Sequence, residues 1–316
     1  MNPLVSILIP CFNAGRWIGQ AIDSVLAQTW PEKEVVVVDD GSTDGSLKII
    51  KSYGERVRWE TGPNRGGNAA RNRLLALSRG EWLQYLDADD YLRPDKLATE
   101  IRFIKTQPGL DILFRPFIHE HWSERETRIE NTVIPEPHDP WILLARWYLP
   151  GTGSGLWRKA AIIEAGGWNE RQPCCQEHEL YLRLLMAGRN FKYLAGGGYV
   201  YRQWSQQTVC KRNVPEAHRQ RLGIMQRAED FMRKAGQLTP ERLQALNQGR
   251  FDTARMVWRY NPPIATEIMR GVGRSQPDFM PAGVAAPGGY RFVYRFAGFR
   301  CSELIAGLRR RLLNVP

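Results

Sequence analysis

The sequence predicts an α/β protein. A mostly parallel sheet covered by helices occupies residues 1–204, and a helical, basic region occupies 205–316. Three observations carry this expectation. Short apolar runs alternate with stretches of helical periodicity from Val5 to about Phe117, the pattern of right-handed βαβ units. Three of the runs end in polar or acidic residues, as where a parallel sheet presents its ligand-binding edge. The charge is also unevenly divided. Residues 1–204 hold 25 Lys+Arg against 25 Asp+Glu, whereas residues 205–316 hold 19 against 8 and supply the whole +11.

In chain order, residues 5–10 form a buried strand, and 16–28 a helix with Trp17, Ile18, Ala21, Ile22, Val25 and Leu26 on its apolar face. Residues 34–38 are Val-rich and form a second strand, and Asp44 caps the helix carrying Leu47, Ile49 and Ile50. A third strand covers 57–60, a helix 68–78, a fourth strand 82–86 and another helix 94–105. Beyond it, 112–119 and 125–134 read as the strands of a hairpin, 140–148 as a Trp-bearing helix and 177–187 as a helix stopped by Gly188. Residues 199–202 resemble a final strand. Two long helices follow (215–235 and 239–259), then a Pro/Gly-rich stretch, then a helix over 302–313.

Composition narrows the class. The 316 residues are 43% hydrophobic and 24% charged, ordinary for a globular chain. No apolar run approaches the roughly 18 residues of a membrane span. The N-terminus lacks a basic segment and cleavage site, which argues against a signal peptide. Cys11, Cys174, Cys175, Cys210 and Cys301 have no framework spacing and are expected to be reduced thiols in a cytoplasmic protein.

The strand ends carry the chemistry. They read Pro10-Cys11-Phe12-Asn13-Ala14, Asp39-Asp40-Gly41-Ser42 and Asp87-Ala88-Asp89-Asp90. Three carboxylates within four residues repel one another, and folding alone gives no reason to gather them at a buried strand end. A divalent cation does, because Mg²⁺ and Mn²⁺ take oxygen ligands, often one or two carboxylates plus substrate phosphates. A solvated acidic turn before the helix at Pro94 is the plainer alternative.

Four stretches resemble the family 2 glycosyltransferases, in that family's order and spacing. They are Val5 to Ala14, Val36-Val37-Val38-Asp39-Asp40-Gly41-Ser42-Thr43-Asp44-Gly45, Asn64 to Asn72, and Leu86-Asp87-Ala88-Asp89-Asp90. The resemblance covers about residues 4–204. It implies the GT-A nucleotide-binding fold and inverting transfer of a sugar from a nucleotide-sugar donor. It implies nucleotide contacts from Pro10, Cys11, Asn13, Asp39, Asp40, Arg65, Arg71 and Asp87, with Asp39 facing the base and Asp40 supporting it. Asp89 is implied as the main ligand of a divalent metal (Mg or Mn), with Asp87 beside it. Members carry a Glu-Asp pair at the start of a later helix; here the segment reads Gln176-Glu177-His178-Glu179-Leu180, so Glu177 takes the position of the catalytic Asp. Trp157, Gln176 and Arg202 fall where the family shapes the donor-sugar and acceptor pocket, with Trp168 a further ring able to stack on a sugar or to fill the core.

The chemistry expected from this resemblance is base catalysis by Glu177, strengthened if burial raises its pKa. A plainer reading has Glu177 and Glu179 decorating a helix N-terminus, where the dipole favours anions. The acceptor is expected to be a glycan or a lipid-linked sugar in polysaccharide or cell-envelope synthesis. Arg309-Arg310-Arg311 after Leu304, Ile305 and Leu308 forms a short basic amphipathic helix, suited to peripheral association with the inner face of the membrane or to packing on the protein body. No nucleic-acid-binding module accompanies the charge. A non-catalytic nucleotide-sugar-binding scaffold and a nucleotidyltransferase remain as alternatives.

Overall fold

A computed structural model describes residues 2–122, 126–204 and 213–312. Arg125, Cys210 and Leu313, which figure in the expectations above, lie outside the described residues. The chain divides into two compact units, residues 1–140 with 148–211, and 141–147 with 212–316. Residues 141–147, within the region read from sequence as the first domain, thus belong with the second unit.

The first unit is built on a sheet of seven strands. Its first half is β1 (Val5–Cys11), β2 (Lys33–Asp39), β3 (Arg58–Thr61) and β4 (Trp82–Tyr85). Helices α1 (Ile18–Leu26), α2 (Ser46–Ser52) and α3 (Gly67–Leu77) connect them. After β4 come the two-residue β5 (Tyr91–Leu92), α4 (Lys96–Ile104), β6 (Ile112–Phe114), β7 (Ile118–Trp122) and β8 (Thr127–Asn131). Then follow α5 (Pro140–Arg146), which belongs to the second unit from residue 141 on, and, again in the first, β9 (Leu156–Arg158), α6 (Lys159–Glu164), α7 (Gln176–Met186), β10 (Phe191–Tyr193) and β11 (Tyr199–Gln203).

The large sheet runs β10-β6-β9-β4-β1-β2-β3, parallel throughout except that β9 is antiparallel to both neighbours. β1 and most of β2 are buried, and the Val35-Val36-Val37-Val38 run suits a strand covered on both faces. Register brings the strand ends level: Cys11 lies opposite Asp39, and Asp39 opposite Thr61. Sequence and structure therefore agree on the α/β class and on the edge that carries the polar clusters.

The smaller sheet, β5-β11-β7-β8, explains one departure. Residues 112–119 are not one strand: β6 joins the large sheet and β7 the small one. Pro116 sits between them, and a residue with no N–H cannot continue a ladder. The β7–β8 hairpin pairs Ile118 with Asn131 through Trp122 with Thr127.

The second unit holds α8 (Val214–Lys234), α9 (Pro240–Trp258), α10 (Pro262–Ser275) and α11 (Gly288–Leu312). Asn213, Thr239 and Asn261 cap the first three, each accepting a backbone N–H three residues on, and each helix has Pro at its first or second position. α10 falls in the stretch read as Pro/Gly-rich connection; there the prolines begin a helix. α11 starts well before residue 302 and is broken at Gly298, whose φ is +72°. Phe251, Val257, Met269, Val272, Phe279, Tyr290 and Phe299 form this unit's core. No helix among the described residues is long and apolar enough to cross a membrane.

Candidate active site

The ends of β1 and β2 are laced together by short polar side chains. Asn13 sits in the left-handed region at φ +50°; its N–H donates to Ser42 Oγ (2.9 Å) and its Oδ1 accepts from the Thr43 N–H (2.8 Å). Asp44 accepts from the Gly15 and Ser46 N–H groups, a loop-building role. Burial pushes the Cys11 thiol up to about 11, so it stays protonated at neutral pH and serves as core at the strand end.

Asp39 is buried and accepts from the Ser42 N–H (3.3 Å) and Thr61 Oγ1 (2.6 Å). It lines a cavity of about 200 Å³ with Asp40, Glu60, Thr61, Arg65 and Arg73. Asp40 accepts from the N–H groups of Arg65 (2.8 Å) and Gly66 (2.9 Å), and so shapes the loop that enters α3. Gly41 has φ +78°, and a Cβ there would sit 2.8 Å from Asn64 N, which fixes it as glycine. The Arg65 side chain is largely exposed, 3.8 Å from Glu170.

Arg71, by contrast, is buried. Its Nη2 donates to Asp87 Oδ1 at 2.8 Å and its guanidinium lies 5.3 Å from the Trp168 ring. Its Nε is buried with no hydrogen-bond partner. Arg71 therefore ties the helix after the third strand to the acidic turn after the fourth.

The three carboxylates of that turn have separate surroundings. Asp90 is buried and accepts from the Arg202 N–H (2.8 Å) and from the Tyr199 hydroxyl, so it anchors β11. Burial, then the charges of Asp89 and Asp87, hold its carboxyl well above the usual range. Asp89 Oδ2 accepts from Trp204 Nε1 at 2.9 Å; burial, then the Asp87 charge, push its carboxyl up. Asp87 is the most open, with its side chain 36% exposed.

Two residues expected in the sugar pocket, Arg202 and Trp157, are buried. Arg202 is buried beneath this turn: it donates to the Asp89 carbonyl (2.9 Å) and Gln20 Oε1 (2.7 Å) and lies 4.3 Å from the Trp17 ring. It positions the turn and offers no free face to a sugar. Trp157 is also buried, stacked on Tyr181 at 4.9 Å and edge-on to Tyr85 at 6.4 Å, with Trp168 a further member of the cluster. Packing claims both indoles.

Helix α7 begins from Cys175, a non-glycine residue at φ +58°. Strain of this sort persists where the surroundings fix it, often at functional sites. Glu179 is buried and chelated by Arg183, which also holds the Ala165 and Gly167 carbonyls, so its role is structural. Glu177 keeps 23% of its side chain exposed, with Oε1 3.8 Å from His178 Nδ1. Burial raises its carboxyl, but the neighbouring His178 imidazole, Glu177's own backbone N–H and then the Arg71 charge outweigh that and hold it below the usual range. Burial would have strengthened the base by raising its pKa, but here these neighbours win over desolvation and lower it. Gln176 Oε1 is buried with no hydrogen-bond partner.

Sequence reasoning missed Gln20, Trp17 and Tyr199, which support the acidic turn. Trp17 showed only as an apolar helix position and Tyr199 as a strand residue. Their partners at the turn, Arg202 and Asp90, are more than a hundred residues away in sequence, and no local pattern reports such contacts.

These elements place acidic groups at two points on one edge of an α/β sheet, in a fold of the GT-A type. Residues 6–162 match the family model described as glycosyl transferase family 2, and the chain belongs to that family. It is 42% identical over 201 residues to a chondroitin synthase of Escherichia coli, covering 61% of this chain and 28% of that one. The chain spans about a fifth to a half of the length of the curated relatives it matches. In structure it resembles residues 1–349 of S. aureus TarS in complex with UDP-GlcNAc (TM-score 0.66, 18% identity, 98% of this chain and 92% of that one). It also resembles the mannosyltransferase PcManGT of Pyrobaculum calidifontis in complex with GDP-Man and Mn²⁺ (TM-score 0.55, 17% identity, 100% of this chain and 89% of that one).

Proposed function

We propose that the protein is an inverting glycosyltransferase that moves a sugar from a nucleotide-sugar donor to an acceptor hydroxyl, in polysaccharide or other cell-envelope glycan synthesis. The observation that carries this reading is Arg71. It bonds the Asp87 carboxylate and lowers the Glu177 pKa by its charge, and so joins a donor-binding acidic turn to a separate carboxylate. Family membership and the chondroitin synthase likeness support the glycan context.

The donor nucleoside is assigned to the edge formed by Pro10, Cys11, Asn13, Asp39 and Asp40, with its base in the cavity beside Asp39. The acidic turn suits a divalent cation. Burial and the Asp87 charge push Asp89 up and so disfavour its ionised form, a cost that a bound cation would offset. Asp89 and Asp87 would hold Mg²⁺ or Mn²⁺, which would supply positive charge to stabilise a leaving diphosphate. Among the described residues no group of three His, Cys, Asp or Glu is placed to hold a metal by itself; a cation on two carboxylates would take its other ligands from substrate phosphates and water.

Glu177 removes the proton from the acceptor hydroxyl. The acceptor oxygen then attacks the anomeric carbon opposite the diphosphate, and the anomeric C–O bond breaks with its electron pair leaving on the nucleoside diphosphate. Held ionised by His178 and Arg71, Glu177 is always ready to accept a proton at neutral pH, though it is a weak base. Arg71 stays in place between the two sites. The Arg71 Nε and Gln176 Oε1 atoms keep hydrogen-bonding capacity for donor or acceptor hydroxyls.

We also infer peripheral association with the inner face of the membrane through the basic C-terminal helix, with a glycan or lipid-linked acceptor. The test is release of nucleoside diphosphate from a panel of UDP- and GDP-sugars with Mn²⁺, with and without glycan acceptors. Acceptor-dependent release supports transfer. Binding without turnover of any donor would make the chain a scaffold, and pyrophosphate release would make it a nucleotidyltransferase.

A further inference from the structure

Helix α11 leaves Phe292, Phe296, Leu304, Ile305, Leu308 and Leu312 in solvent, between 40% and 83% exposed. Isolated exposed apolar residues are ordinary, but six large ones on a single broken helix are not. The break at Gly298 divides it into two arms. Val293 of the first and Ile305 of the second line one cavity of about 190 Å³, and a Cβ on Gly289 would meet Arg309 Nη1 at 3.6 Å. The start of one arm therefore lies by the end of the other, as in a hairpin. Tyr290, Phe299, Ser302 and Glu303 turn inward and are buried, while Phe292 and Phe296 touch each other on the outside at 5.1 Å between centroids.

Charge selects the partner. The helix carries Arg291, Arg295, Arg300, Arg309, Arg310 and Arg311 against one acid, Glu303. Glu303 is fully buried, held by Arg255 and by the Tyr290 hydroxyl at 2.9 Å. The outer face thus offers apolar rings and aliphatic groups among cations with no exposed acid. Two copies of such a face repel. An anionic lipid surface matches both features, since apolar side chains enter the headgroup–acyl boundary and each nearby Lys or Arg adds about 1 kcal/mol of attraction.

We infer that both arms of α11 form one membrane-docking hairpin, with Phe292 and Phe296 inserting as well as Leu304, Leu308 and Leu312, and the exposed Arg291, Arg295, Arg300 and Arg309 facing acidic phospholipid headgroups. This rests on the membrane association proposed above and extends it from a single terminal helix to a two-armed surface.

Flotation of the full chain with phosphatidylcholine vesicles, with and without phosphatidylglycerol, tests it. The wild type is expected to float only with the acidic lipid. F292S/F296S and L304S/L308S are each expected to lower binding about tenfold or more. If the wild type does not float, the membrane reading and the hairpin both fail. If it floats and F292S/F296S floats equally well, the hairpin alone fails. Self-association through Phe292 and Phe296 without lipid binding would make the face a contact between copies and overturn the inference. Should the serine variants not fold, hydrogen exchange of the wild type decides. Vesicles are expected to protect 288–297 as well as 302–312, and protection confined to 302–312 contradicts the hairpin.

Discussion

The turn after β4 and the start of α7 both present carboxylates, yet their surroundings push them in opposite directions. Burial and mutual repulsion raise Asp89 and Asp90, whereas His178 and Arg71 outweigh burial and lower Glu177. Groups whose pKa values are driven apart within one site take different tasks. A carboxylate crowded by others seeks a cation; one held ionised by its neighbours waits for a proton. The difference teaches that the number of acids in a motif says little about which acid does what. Asp90, within the motif, spends itself on Tyr199 and the Arg202 backbone, while Glu177 lies far along the chain.

The strongest way to break this division is at Glu177. E177Q is expected to lose about 10²–10⁴-fold in kcat with donor affinity kept, and E177D to recover part of the rate. Normal turnover in E177Q would remove the base from the account. Next in size is the acidic turn: a donor at a hundredfold its Kd raises stability by about 2.7 kcal/mol. In thermal melts, D89N should lose the part of that gain that depends on Mn²⁺. A full Mn²⁺-dependent gain in D89N would contradict the assignment.

A structural contrast follows within the turn itself. Y199F removes the hydroxyl bonded to buried Asp90 and should cost about 1–3 kcal/mol in chemical denaturation, with the Mn²⁺ response kept. The smallest effect concerns pH. A lowered Glu177 contributes stability that is present above its unfolded value of about 4.3 and is lost as pH falls through the lower folded value. The acid limb of kcat/KM due to Glu177 should therefore lie below the ordinary glutamate range. R71M removes one of the charges that lower it and should move that limb upward; an unmoved limb would show that Arg71 does not act on Glu177.

Much of the fold was legible because its signals are local. The Val-rich strand, the apolar spacing of α1 and the polar strand ends each announce themselves within a dozen residues. The errors came where distant partners decide. Pro116 splits a promising apolar run between two sheets, and β5 is too short to read without β11 beside it. Pro262 and Pro263 looked like connection, though behind the Asn261 cap they open a helix. At the site, residue identities were readable and directions were not: Trp157 and Arg202 face inward because Tyr181 and the acidic turn claim them. That burial acts on Glu177 follows from its place before an apolar helix; the neighbours that outweigh it, His178 and Arg71, come only with the fold.

The central claim is that donor holding and proton removal belong to separate carboxylates. Calorimetric titration of nucleoside diphosphate into wild type, E177Q and D89N, each with Mn²⁺, tests it most directly. The account predicts wild-type affinity in E177Q and loss of the Mn²⁺-dependent affinity in D89N. Equal loss in both variants, or full affinity in D89N, would contradict it.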